Sequence, residues 1–343
     1  MSPGRSGSRT AAAAAPAGPA PAVLTVESTG GARLHTEIHG PEDAPTVVLS
    51  HGWTCNTSFW EPVVRRLADG HRVVLYDQRG HGRSPATPRA CSTEALADDL
   101  CAVLAAAVPA GRRAVVGGHS MGGMTIVAAA GRPEFRERAA AAMLCSTGMG
   151  GLTTEARVAP VKALSVRRLM QKTFLTSSLP MGPVTPVSRS MLHYVTMGPG
   201  AGPELRTTVA EMVTACPRRV RGEWGRVLDR LSLLDRLPQL TVPTVVVHGT
   251  RDRLTPPVHA HRMAGRLPDC EGPVLLDGLG HMTPLEDPER IAGILRDLAG
   301  RHLPPAASAG RDARTRRTKR KEPSESSEPS ERDGRDERNE EVA

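Results

Sequence analysis

From residue 45 onward the chain repeats one rhythm: a short apolar run, a turn, then a longer amphipathic run. The runs at 46–50, 72–76, 114–117, 141–145, 244–247 and 273–276 are nearly unbroken stretches of aliphatic and β-branched residues, as strands covered on both faces must be. Helix-length patterns lie between them. In 93–107, Leu96, Leu100, Val103, Leu104 and Ala107 fall at i, i+4, i+7, i+8 and i+11, a single stripe on a helix, with Thr93 as the expected N-cap. Residues 121–130, 257–267 and 286–299 carry similar patterns. Strands that alternate with helices imply crossover connections. The expected architecture is α/β, a mostly parallel doubly wound sheet flanked by helices.

The alternation stops between 149 and 237. Strand-like runs vanish there, and arginine-rich helical segments appear, separated by Pro180, Pro183, Pro186, Pro199 and Pro203. An insertion of this length between two strands is expected to form a helical cap or lid over the sheet edge. The two ends differ again. Residues 1–22 are Ala, Pro, Gly and Ser with two arginines, and 304–343 are Pro, Ser and charge. Neither offers enough apolar surface to offset the entropy of ordering, so both are expected to stay disordered. The remaining layout is a core at 23–148 and 238–303 with a cap at 149–237.

Composition narrows the class. No run approaches 18 apolar residues, which excludes a transmembrane helix. Ala11 to Ala15, with Pro16, Pro19 and Pro21 close behind, makes a poor export signal. Six cysteines with no C-x-x-C pair suggest neither a zinc site nor a disulfide framework, and fit reduced thiols in a cytoplasm. The net charge of +8 is unevenly placed: 304–343 carries ten basic and ten acidic residues, while 149–237 carries thirteen Lys/Arg against six Asp/Glu. The tail contains a basic block, Arg316 to Lys321, followed by an acidic end. A solubilising role is favoured for it over contact with nucleic acid or an anionic surface.

Gly118-His119-Ser120-Met121-Gly122 matches G-x-S-x-G between an expected strand and an expected helix. On such a turn the flanking glycines let the chain bend sharply and present the hydroxyl above the sheet. A serine hydroxyl is a weak nucleophile and needs a base, which in turn needs an orienting acid. Among twelve histidines, His281 follows the last strand run on a loop that can reach back over Ser120. His119 is expected to point away, and His51, His248, His259 and His261 to be packing or solvent-facing groups. Asp252 follows the 244–247 strand in the same manner as His281 follows its own. Its rival Asp277 is too near His281 along the chain to reach across easily. Acyl chemistry also needs donors for a developing oxyanion. The backbone N–H of Met121 and that of Trp53, on the loop after strand 46–50, are the natural pair.

His51-Gly52-Trp53, Asp77-Gln78-Arg79-Gly80-His81-Gly82-Arg83-Ser84, the Ser120 motif, His248-Gly249-Thr250-Arg251-Asp252 and Gly280-His281-Met282 occur in this order across most of 45–300. In this the chain resembles the α/β-hydrolase superfamily in its lid-bearing form. The resemblance implies a structural turn at Asp77 to Ser84. Serine at 120 points away from the dehalogenase and epoxide hydrolase branches, which use an aspartate. It implies a serine hydrolase that cleaves carboxylic esters or thioesters of a small-to-medium apolar acyl substrate through an acyl-enzyme, with no metal or organic cofactor. The alternatives are a C–C bond hydrolase, a cofactor-free haloperoxidase-like perhydrolase, or a non-catalytic ligand-binding member of the fold. The partner expected is a small-molecule acyl substrate, and oligomeric state is left open.

Overall fold

The computed structural model describes residues 20–304 apart from 88, 89, 160, 162 and 181. Most of the expected leader, and the charged tail from 305 with its basic block at 316–321, lie outside the described residues.

Eight strands form one sheet: β1 (Ala22–Ser28), β2 (Ala32–His39), β3 (Thr46–Ser50), β4 (Arg72–Tyr76), β5 (Ala114–His119), β6 (Ala139–Cys145), β7 (Thr244–Gly249) and β8 (Cys270–Leu276). Their spatial order is β1-β2-β4-β3-β5-β6-β7-β8. β1 pairs antiparallel with β2 and β2 antiparallel with β4, and every later pairing is parallel. Strands β3, β5, β6 and β7 are buried along their whole length, which is why they read as unbroken apolar runs. The β1–β2 hairpin went unread. β1 holds Ala22, Val23, Leu24 and Val26, but only Val26 is buried, as befits an exposed edge strand. Ala22 begins that strand and is not part of a leader.

The helices before the insertion are α1 (Glu61–Leu67), α2 (Thr93–Ala107), α3 (Met121–Ala129) and α4 (Pro133–Arg138). Between β6 and β7 come α5 (Leu152–Glu155), α6 (Leu164–Thr176), α7 (Pro186–Thr196), α8 (Pro203–Ala215) and α9 (Arg218–Asp229). The chain then adds α10 (Val258–Ala264), α11 (Thr283–Glu286) and α12 (Pro288–His302). Leu96, Leu100 and Leu104 of α2 and Ile126 of α3 pack on one face of the sheet. Val63 and Leu67 of α1 and Ile291 and Leu295 of α12 pack on the other. The expected N-cap of α2 is displaced by one residue. Ser92, not Thr93, accepts from the Ala95 amide at 3.0 Å, because Ser92 is extended and Thr93 is already helical.

The segment 77–84 behaves as a built turn. Asp77 accepts from the amides of Thr57 at 2.7 Å and Arg83 at 2.9 Å, and the Ser84 hydroxyl donates to the Asp77 carbonyl. Arg79 makes a buried two-pronged pair with Asp99. The inserted helices are anchored on this turn: Trp224 of α9 is fully buried and its indole N–H donates to the Arg79 carbonyl at 3.1 Å. All six cysteines are free. Among the described residues no helix is long and apolar enough to cross a membrane.

Candidate active site

Ser120 sits between the end of β5 and the first turn of α3 with φ 52° and ψ −115°. A non-glycine residue there costs about 1–3 kcal/mol and persists only where its surroundings dictate it. They do so here. The Ser120 amide donates to the Cys145 carbonyl at 2.9 Å. Its own carbonyl accepts from the amides of Gly123 and Met124 and from the Thr147 hydroxyl at 2.7 Å. The turn also demands the motif's second glycine, since a Cβ at 122 would stand 2.1 Å from the Ser50 carbonyl oxygen.

His281 follows β8 on a short loop and lines the same cavity as Ser120. Its Nδ1 lies 2.8 Å from Oδ2 of Asp252, and both side chains are buried. Asp252 Oδ1 accepts from the amides of Leu254 and Thr255 at 2.8 and 2.9 Å, and the Thr255 hydroxyl donates to Oδ2 at 2.9 Å. Burial by itself would raise the Asp252 pKa. The charge of His281 and hydrogen bonds from His248 and His281 outweigh it and hold the carboxyl well below the usual carboxylate range. Asp277 is elsewhere, accepting from the Thr250 hydroxyl on the exposed side of the loop.

Two of the histidines set aside on sequence grounds contribute to this arrangement. His119 does not point away. It is buried, its ring centroid is 4.9 Å from that of His281, and it stacks on Phe59. Its Nε2–H donates to the His281 carbonyl at 2.8 Å. Burial first, then the nearby His281 charge, keeps its pKa well below the ordinary histidine range, so it stays neutral. His248, also fully buried, brings Nε2 to 3.4 Å from Asp252 Oδ2.

The loop that carries His281 is tied down by residues with no local sequence signal. The Glu286 carboxylate accepts from the Gly280 amide at 3.0 Å and from the Gly198 amide at 2.7 Å. The amides of His281 and Met282 both donate to the Thr196 carbonyl, at 2.8 and 3.1 Å. Gly280 approaches so closely that a Cβ there would stand 2.3 Å from the Met197 carbonyl carbon. These contacts join the loop to the end of α7, a pairing no short stretch of sequence can reveal.

Among the described residues, neither the Met121 nor the Trp53 amide has a backbone or side-chain acceptor. The Trp53 indole is committed to the Arg221 carbonyl at 3.1 Å, which fixes the residue at the cavity wall. The cavity has room for about 110 Å³. Its walls are Met124 from α3 together with Leu152, Phe174, Leu175, Leu192 and Val195 from the inserted helices. Among the described residues no lysine or arginine lines it. Its most unusual polar group is Gln171, the only buried side chain of α6. The Gln171 amide N–H donates to the Ala156 carbonyl at 2.7 Å, which fixes the amide's orientation, and Oε1 is buried without a partner.

Fold and site together define an α/β hydrolase. Residues 47–294 match the model of the alpha/beta hydrolase family, and the chain belongs to that family. It is 31% identical over 274 residues to a pimeloyl-(acyl-carrier protein) methyl ester esterase of Xanthomonas campestris pv. campestris, spanning 76% of this chain and 97% of that one. It is 23% identical over 275 residues to 3-oxoadipate enol-lactonase 1 of Acinetobacter baylyi, spanning 79% and 94%. Among solved structures, a thermophilic esterase from Thermogutta terrifontis aligns with a TM-score of 0.67 at 25% identity, over 82% of this chain and all of that one. These relatives support ester hydrolysis as the class of activity.

Proposed function

We propose that the protein is a serine esterase acting through an acyl-enzyme on compact, largely uncharged carboxylic esters. The observation that carries the reading is the strained Ser120 sharing a cavity with His281, whose Nδ1 is held 2.8 Å from the buried Asp252. In this reading Asp252 keeps the proton on His281 Nδ1, leaving Nε2 free to accept the Ser120 hydroxyl proton as Oγ attacks the ester carbonyl. The amides of Met121 and Trp53 donate to the oxyanion, as their lack of an internal acceptor allows. The tetrahedral intermediate collapses, and the leaving alkoxide takes the proton from His281. Water then gives a proton to His281 and attacks the acyl carbon. The carboxylic acid departs and Ser120 recovers its proton.

The cavity supports a choice of substrate. At about 110 Å³ it is smaller than the roughly 150 Å³ apolar cavity known to take benzene, so it suits a short acyl group. Among the described residues no lysine or arginine lines its walls, which argues against a carboxylate-bearing acyl group, since a buried anion without a partner is strongly disfavoured.

Turnover of a panel of p-nitrophenyl esters of rising acyl length tests this. Short esters should be cleaved, and Ser120→Ala should reduce turnover by on the order of 10,000-fold. Undiminished turnover in Ser120→Ala would refute the mechanism.

A further inference from the structure

Among the described residues the positive charge of the inserted segment lies outside the cavity, and its location points to a partner. Of thirteen exposed large apolar side chains among the described residues, ten lie between 164 and 194. Helix α6 is built inside out: its one buried side chain is Gln171, while Leu164 and Leu169 are 64% and 65% exposed. On α7, Val187, Met191 and Tyr194 recur at i, i+4 and i+7 and are exposed, while Leu192 and Val195 face inward. Between the helices, Leu179 is 74% exposed. An apolar surface of this extent marks a docking site.

Charge identifies what docks. From 156 to 203 the chain holds six lysines and arginines and no aspartate or glutamate. Among the described residues of that stretch only Lys172 pairs with a carboxylate, Asp229. Arg167 and Arg168 lie between Val166 and Leu169, so cationic heads and apolar side chains alternate on one short helix. The apolar groups lie on two helices and on the segment between them. That is the composition of interfacial helices, whose apolar side chains enter the acyl boundary while lysines and arginines reach the headgroups. The same helices line the cavity with Phe174, Leu175, Leu192 and Val195.

We propose that the exposed face of α6 and α7 docks on an anionic lipid surface. Bound there, the protein presents its cavity to esters dissolved in the bilayer.

Co-sedimentation of the full chain with lipid vesicles decides the matter. The protein should bind vesicles of equal parts phosphatidylcholine and phosphatidylglycerol about tenfold or more tightly than vesicles of phosphatidylcholine alone, with the advantage shrinking at high salt. Leu169→Glu combined with Val187→Glu should weaken binding about tenfold or more, while turnover of a water-soluble acetate ester, which reports the fold, is unchanged. Ser120→Ala should bind vesicles as the wild type does, so a failure of the hydrolytic mechanism leaves the docking result interpretable. The proposal is overturned if the wild type ignores both vesicles or binds them equally. It is also overturned if the double variant binds like the wild type, which would shift the interaction to another segment such as 316–321. A wild-type dimer that the double variant converts to monomer would equally overturn it, since a second copy would then cover the face.

Discussion

Asp252 accepts hydrogen bonds from the Leu254 and Thr255 amides, the Thr255 hydroxyl and His281. A carboxylate so well solvated by the protein contributes stability as well as orientation. Its folded pKa lies below the unfolded value of about 3.9. The contribution is therefore complete above that value and is lost as pH falls through it toward the folded pKa. Asp252→Asn should be less stable than the wild type at neutral pH, and the gap should narrow below about pH 4. Urea midpoints at several pH values check this, and a gap that stays constant would exclude the linkage. The same variant should lose roughly 1,000- to 10,000-fold in kcat/KM, because an asparagine leaves the imidazole in the wrong tautomer.

Among the elements, the loop bearing His281 is the most consequential. Glu286 reaches two amides, one on that loop and one just past α7. Glu286→Ala leaves both donors without their acceptor, and should lower kcat about tenfold or more with KM little changed, since the loop's position matters most as the proton moves. Equal effects on kcat and KM would point to a collapsed cavity instead. Gly122→Ala should be far more damaging, costing more than about 3 kcal/mol or preventing folding, because its Cβ would meet the rigid β3 backbone and not a movable side chain. The elements differ in how readily the sequence discloses them. Strands β3 to β7 declare themselves because both faces are covered, and the serine motif because its glycines sit between a strand and a helix. Strand β1 shows nothing of the kind, being an exposed edge whose partner supplies the order. In the insertion, Pro186 and Pro203 read only as breaks, yet each is the first residue of a helix, where the missing N–H does no harm.

For the molecule as a whole, the acid limit is set by histidines that must remain neutral. His51 donates from Nδ1 to the Gly52 carbonyl at 2.8 Å and accepts at Nε2 from the Gln78 amide at 3.0 Å. His81 has the same division of labour, accepting at Nε2 from the Thr54 amide. Burial pushes their pKa values down to about 4 and about 3. The unfolded chain, near 6.5, binds protons the folded one refuses, so stability is full above that value and declines as pH falls from 6.5 toward 4. Each ring contributes on the order of 1 kcal/mol per pH unit across that window. Identical urea midpoints at pH 7 and pH 5 would exclude the effect. Asp252 and His281 could be singled out on sequence grounds because each ends its own parallel strand at the same sheet edge. His119, Thr196, Glu286 and Gln171 could not, because their partners lie far along the chain and meet them only after folding.

The anchorage of the His281 loop on Thr196 and Gly198 works as an interlock. The imidazole's main chain hangs on the stem of the very helix that walls one side of the cavity. Under the proposed mechanism, swinging that wall outward to admit a reactant would disarm the base at the same moment. A route of entry that left α7 in place would leave that anchorage undisturbed.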